Sequence, residues 1–470
     1  MKTRKAIERY LVLYFPWVLA LLFQSDPVLS YLIAWLGSLL IFWLSMSGWV
    51  KPVPNDRSVG EQLMRPIFLV QIIFVGYMAV SSIFYLLNLL GVDDFKITSN
   101  PYFSVDKEAL ELTALCQRYY VLGHAAFVTG VLAFMKYPDK QKYYLKKEML
   151  ANILLVTALV TLPVSVAFQR IPGLSQFYTQ LNMLSFIAGT LALAFAIPLK
   201  KLWNTVFCAL LYGSNFYQAI ISGFKEPIII SVLVLGVFLY PNYKKLVIVI
   251  FVPALLLLFA LLPTFNAVFR ENNWRGNVGA NEAYELALDA TINSNQASNE
   301  NSEWVFLVFR LSEIDMFRTF VKSTPANVDY YGFQLLKQSG MAVIPRIFWP
   351  AKPSTEELVM ERVYDAGITT KNTIVSAKPA FIVDAYLSGG TIGIFIALFL
   401  YGAIAQLISV KAEYLFGGYI LGTALIFTGL FQIFWRGLSF EFIINSVLWS
   451  YVTMLLLFMI LRVIGVLKEV

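Results

Sequence analysis

The chain has 470 residues, 58% of them apolar and only 14% charged, with a mean hydropathy of +0.68. That excludes an ordinary soluble domain, where charged residues make up about a quarter. The net charge of +7 needs no nucleic-acid partner, because the basic excess sits in short segments beside apolar runs, where anionic lipid favours it. Two cysteines, Cys116 and Cys208, are too few for a disulfide framework or a metal site.

A membrane-spanning helix needs about 20 mostly apolar residues. Twelve runs are candidates, at about 10–24, 28–47, 67–91, 119–135, 150–168, 179–199, 202–221, 227–240, 246–263, 390–410, 416–434 and 443–463. The expected fold is therefore an all-α polytopic membrane protein in three parts. These are an N-terminal bundle of about nine helices (1–263), a large loop with amphipathic helices (264–379) and about three C-terminal helices (380–470). Met1 to Lys5 opens the chain like a signal peptide, but no small-residue cleavage site follows Phe23, so an uncleaved first span is expected.

Charge fixes the expected orientation. With both termini in the cytoplasm, the inner segments collect Arg9, Lys51, Arg57, Arg65, Lys136 to Lys147, Lys200, Lys201, Lys244, Lys245 and Lys411, while the outer segments are net acidic. This satisfies the positive-inside rule and puts the large loop outside, in the periplasm or its equivalent.

Along the chain, 92–117 carries Asp93, Asp94, Asp106, Glu108 and Glu111, and its spacing from Lys107 predicts a short helix on the membrane surface. Adjacent Asp93 and Asp94 read as a solvated turn rather than a metal site, since further ligands are missing. His124, in the fourth span, reads as a helix-to-helix hydrogen bond before a catalytic group. Ser222-Gly223-Phe224-Lys225-Glu226-Pro227 breaks two apolar runs. It leaves Lys225 and Glu226 at membrane depth, either as a snorkelling pair or as a phosphate contact.

Within the loop, Trp304, Leu307, Leu311, Ile314, Phe317 and Val321 recur at helical intervals, predicting one amphipathic helix over Glu303 to Lys322. On it, Arg310 and Arg318 have Glu313 and Asp315 three residues away, so each is either a surface ion pair or, for Arg310, an inward-turned phosphate ligand. Tyr330-Tyr331-Gly332 follows, then Ile344-Pro345-Arg346-Ile347-Phe348-Trp349-Pro350-Ala351-Lys352-Pro353. Three prolines stiffen that run, which would hold Arg346 and Lys352 in place without an ordering cost.

These motifs, with Asp384-Ala385-Tyr386-Leu387 before a Gly-rich span entry and Trp435-Arg436-Gly437 in the last outer loop, resemble the Wzy-type polymerases of bacterial surface polysaccharides over roughly residues 220–440. Two departures stand out. Ser222-Gly223-Phe224-Lys225 replaces a Ser-Gly-Ser-Arg type motif, and Asp384 stands where Glu is more usual. The resemblance implies a GT-C-like, O-antigen-ligase-like architecture and a metal-independent, cofactor-free glycosyl transfer between two polyprenyl-diphosphate-linked oligosaccharides. A flippase and a chain-length regulator are the implied partners.

A sugar hydroxyl attacks the anomeric carbon of a second unit and the lipid diphosphate leaves. Fixed cations near the leaving oxygen and a carboxylate near the hydroxyl are the parts required. Arg310, Arg346, Arg436 and Lys225 are the candidate cations, with Arg318, Lys352 and Tyr331 as further substrate contacts. Asp384 is the leading base, with Glu441 and Glu226 in reserve. A ligase shares this chemistry and architecture. A lipid-linked oligosaccharide flippase is the third reading, and it would not require so long a rigid loop.

Overall fold

The computed structural model describes residues 2–138, 141–145, 149–171, 174, 177–221, 223, 226–276, 278–292, 301–309, 311–372 and 377–470. Among the described residues the protein is all-α apart from two short antiparallel strand pairs, one of them a hairpin. Its helices are α1 Lys2–Val12, α2 Phe15–Leu22, α3 Pro27–Met46, α4 Leu69–Leu89, α5 Lys107–Phe134, α6 Leu150–Arg170, α7 Tyr178–Ala196, α8 Leu202–Ile221, α9 Glu226–Leu239 and α10 Lys244–Arg270. They continue with α11 Ala280–Ile292, α12 Asn301–Phe309, α13 Ile314–Ser323, α14 Gln334–Val343, α15 Thr355–Asp365, α16 Phe381–Leu415, α17 Ile420–Leu430 and α18 Phe440–Val463. The strands are β1 Val92–Asp93 paired with β2 Lys96–Ile97, and β3 Tyr143–Tyr144 paired with β4 Lys468–Glu469.

Among the described residues, seven helices are long and apolar enough to cross a membrane: α3, α4, α6, α7, the run Pro227–Leu262 through α9 and α10, α16 and α18. The chain is accordingly a multi-pass membrane protein. Other runs expected to span are shorter or more polar. The run at 10–24 is split at Leu13 and Tyr14 into α1 and the eight-residue α2, which Pro16 opens. The run at 416–434 holds only α17, of 11 residues.

Two expectations about helix extent are corrected. The surface helix foreseen from Lys107 is continuous with the following run as α5, 28 residues long and N-capped by Asp106, whose carboxylate accepts Ala109 N at 3.0 Å. No breaker lies between Lys107 and Phe134, and Gly123 and Gly130 are kept helical by close packing on α16. The single helix foreseen over Glu303 to Lys322 is two, α12 and α13. Ser312 Oγ accepts Ile314 N at 3.2 Å and so competes with the helical bond, while Ser81 Oγ of α4 holds Leu311 O at 2.9 Å.

The core pair is α5 against α16. Their glycines interlock: a methyl on Gly130 would strike the Phe399 carbonyl, and one on Gly402 the Phe127 carbonyl. Small residues let membrane helices approach this closely. In the same layer His124 meets Gln71 of α4, Nε2 to Nε2 at 3.1 Å, and Gln71 Nε2 reaches Ser45 Oγ of α3 at 2.9 Å. That is the helix-to-helix role expected of His124.

The two ends of the bundle differ. At one, Arg9, Trp49, Lys51, Leu132, the β3–β4 pair and Glu413 gather. Arg65 is buried there between two carboxylates, with Nε and Nη2 on Glu413 at 3.0 and 2.9 Å and Nη1 and Nη2 on Asp56 at 2.7 and 2.8 Å. Burial would raise the Asp56 pKa, but the Arg65 guanidinium outweighs it and holds Asp56 below the usual carboxylate range. At the other end α12 to α15 form a cap. Trp304 is anchored by Asn88 Oδ1 at 3.2 Å and by the ring of Phe95 at 5.0 Å. Phe95 sits with Asp94 in the left-handed turn between β1 and β2, so Asp93 and Asp94 do form a turn.

Candidate functional site

Among the contacts that tie the cap to the bundle, one is a buried arginine. Ser354 and Glu357 close a capping box at the start of α15, which sets that helix so that Leu358, Val359, Arg362 and Val363 face inward. Arg362 then lies between the first turns of α16 and α18. Its Nη2 is 2.9 Å from Asp384 Oδ2 and 2.7 Å from Glu441 Oε2, and its Nη1 is 2.8 Å from Glu441 Oε1. Burial alone would lower the Arg362 pKa, yet Asp384 and Glu441 reverse it and keep the group above the ordinary arginine range. Phe440 N adds a bond to Asp384 Oδ2 at 2.8 Å. Both carboxylates sit in first helical turns, where the peptide dipoles favour negative charge.

This placement revises the role expected of Asp384 and Glu441. Both are fully buried and are bridged by the one Arg362 guanidinium, an arrangement that ties the cap to two spans and gives both carboxylates a structural use. Arg362 was not among the residues singled out from sequence, although a signal existed. An arginine standing in the apolar stripe of an amphipathic helix demands a buried carboxylate, and Asp384 and Glu441 each open an apolar run.

The remaining candidates divide. Lys352 is buried with Nζ on the carbonyls of Ala342 at 2.8 Å and Ile344 at 2.7 Å. It closes the C-terminal end of α14, which corrects its assignment as a substrate contact. Arg346 is exposed and donates to Pro350 O of its own loop at 3.4 Å, with no ion pair among the described residues. Arg318 pairs with Asp315 at 3.1 Å and lies 5.6 Å from the Tyr85 ring, as the ion-pair reading required. Tyr331 donates to Asp365 Oδ2 at 3.1 Å, and its backbone N to Leu387 O at 2.9 Å. Arg310, Lys225 and the Glu226 side chain lie outside the described residues.

Two groups stand out at this end because no ion pair neutralises them among the described residues. Arg436 ends the helical turn Ile433–Arg436, which Gly437 terminates at φ 58. Its Nε is buried and has no hydrogen-bond partner, and among the described residues the side chain makes no ion pair. Its corner is fixed where Gly437 O accepts Phe381 N at 2.7 Å, at the start of α16, and a methyl added at Gly437 would come to lie 3.8 Å from the end of Met78 on the α4 turn Phe74–Val80.

The same turn carries Tyr77, whose hydroxyl donates to Glu313 Oε1 at 2.7 Å. Glu313 is half-buried, with no lysine or arginine paired to it among the described residues. Burial pushes its carboxyl up from 4.5 to about 7, against the opposing pull of the Tyr77 hydroxyl. Glu313 entered the sequence reading only as a partner for Arg310. What reveals it is the break before α13, which turns it toward α4. Among the described residues no group of three or more His, Cys, Asp or Glu is placed to hold a metal.

The chain belongs to the family described as Domain of unknown function (DUF8712), which matches residues 15–469. Comparison with curated proteins and with solved structures gives no match.

Proposed function

We propose that the protein is a polymerase of lipid-linked oligosaccharide repeat units, working at the capped face of the membrane. The observations that carry this reading are, among the described residues, a cation with no ion pair, Arg436, and a half-buried carboxylate with none, Glu313, which the Phe74–Val80 turn holds through Tyr77. An arginine fork at a membrane boundary suits the oxygens of a lipid diphosphate, and a carboxyl near pH 7 suits proton acceptance from a hydroxyl.

The step balances as follows. The acceptor sugar hydroxyl oxygen bonds to the anomeric carbon of the donor, and the bond from that carbon to the diphosphate oxygen breaks. The electron pair leaves with the polyprenyl diphosphate, stabilised by Arg436, while Glu313 takes the hydroxyl proton. The base role expected of Asp384 thus passes to Glu313. The GT-C-like, twelve-span arrangement and the periplasmic placement of the cap belong to this same proposal, supported by the resemblance of the loop motifs and by the distribution of basic residues.

The test is a purified full chain in vesicles with polyprenyl-diphosphate-linked oligosaccharide, products being sized on a gel. Unmodified protein should give multi-repeat chains. Arg436→Ala should lose about a hundredfold in rate, as for removal of one fixed stabiliser of developing charge. Long chains from Arg436→Ala at unchanged rate would sink the assignment. Transfer only to a non-lipid-diphosphate acceptor would show a ligase, and movement of the lipid across the vesicle without glycan growth a flippase.

A further inference from the structure

Helix α14 and the turn after it present an unusual surface. Leu335, Ser339 and Ala342 face the bundle and are buried against α18. Away from that buried face, Phe333 (85% exposed) and Ile344 (39%), which flank the helix, and Leu336 (45%) on it are exposed, and Phe348 (79%) in the following turn extends this apolar surface. Lys337 and Arg346 are exposed beside it.

Two independent contacts fix the height of this surface relative to the bilayer. Helix α16 is broken by non-helical Gly389 and Gly390, and its piece from Thr391 to Leu415, about 37 Å at 1.5 Å per residue, by itself spans a hydrocarbon core of about 30 Å. Its Glu413 end is held by Arg65 among the polar groups of the opposite end. A span of about 20 residues counted back from there ends near Gly390, where the helix kinks at φ 60. Tyr331, which leads into α14, bonds to Leu387 O, one turn beyond that point. The other end of α14 is tied to α18, since Trp449 Nε1 donates to Val343 O at 2.9 Å. Trp449 lies in the part of α18 nearer the cap, the level at which tryptophan gathers in membrane proteins.

Both ends of α14 therefore lie at the boundary of the bilayer. Its exposed row continues the apolar surface of the spans beside it, where Ile392 of α16 and Leu448 of α18 are also exposed. We propose that Phe333 to Phe348 is an in-plane membrane anchor, its apolar row seated in the acyl boundary of the leaflet and Lys337 and Arg346 bound to phospholipid phosphates. Amphipathic helices with basic residues at the edge of an apolar face bind interfaces in this way. The proposal is independent of the glycosyl-transfer reading. It also gives Arg346 a ligand that its exposed position allows.

The experiment uses the full chain in vesicles of phosphatidylglycerol and phosphatidylethanolamine, spin-labelled at single positions by Leu336→Cys, Phe348→Cys and, as a reference on exposed α15, Glu361→Cys. Cys116 and Cys208 are buried, and unsubstituted protein gives the labelling background. Collision with oxygen and with an aqueous nickel chelate is then measured. Labels at 336 and 348 should favour oxygen severalfold more than the label at 361. Equal access to nickel at all three positions would overturn the anchor. Exclusion of both reagents at 336 and 348 would overturn it too, since that marks contact with a second protein copy.

A separate arm compares unsubstituted protein with the Lys337→Gln, Arg346→Gln double variant. Replacing phosphatidylglycerol by neutral phosphatidylcholine should lower the oxygen preference at 336 in the first and leave the second unchanged. Insensitivity of both to lipid charge would remove the phosphate contact.

Discussion

Arg362 and Glu313 show opposite uses of burial. Arg362→Ala would leave Asp384 and Glu441 as unpaired buried carboxylates, and losses of about 3–5 kcal/mol accompany removal of one partner from a buried ion pair. A drop of that size in unfolding free energy of the detergent-solubilised protein, with Arg362→Lys recovering only part of it, is the expected result. Lysine is a point donor and does not fork to both carboxylates. For Glu313 the folded state keeps its proton up to about pH 7, where an unfolded chain releases it near 4.5. Its stabilising contribution therefore falls as pH rises through that window. Thermal unfolding should show this slope, and Glu313→Gln should remove it. If Glu313 is the base, rate should rise with pH to about 7 and level off, and the glutamine variant should lose that rise together with about 10²–10⁴ in rate. Asp384, Arg436 and Glu441 were readable as important because charge at a span boundary is costly. Their division of labour was not readable, because it depends on which arginine reaches which carboxylate across 22 and 79 residues of chain.

Helices were legible where a single apolar period ran without competition, as in α3, α7 and α18, whose ends fall close to the expected ones. They were misjudged where a polar segment joins an apolar one, as in α5, or where a tertiary bond breaks a periodic stretch, as Ser81 does between α12 and α13. The interlocking of α5 and α16 belongs to this scale. Gly402→Ala puts a methyl against the Phe127 carbonyl, which α5 can relieve only by moving away. Overpacking costs of about 1–3 kcal/mol set the lower bound expected for the lost stability. Ala403→Gly, one position along the same helix, should cost no more than the difference in helix propensity, about 1 kcal/mol. Unfolding of both variants in one detergent compares them directly.

Across the whole molecule, α16 carries a carboxylate near each extremity, and each is gripped by an arginine from another part of the chain: Glu413 by Arg65 and Asp384 by Arg362. The two grips lie most of a long helix apart and share no partner, so their effects should add. Arg65→Ala with Arg362→Ala should equal the sum of the single losses within about 0.5 kcal/mol, measured by unfolding. A larger discrepancy would show that strain passes along α16 through the Gly389–Gly390 kink. The upper grip also decides how anything reaches the interior. Since Arg362 joins a cap helix to the openings of two spans, lifting the cap would strand two anions in apolar surroundings, so the roof over this end is a keystone and stays shut. On the proposed function, the lipid-linked substrate would then enter from the flank, between neighbouring helices at the level of the leaflet.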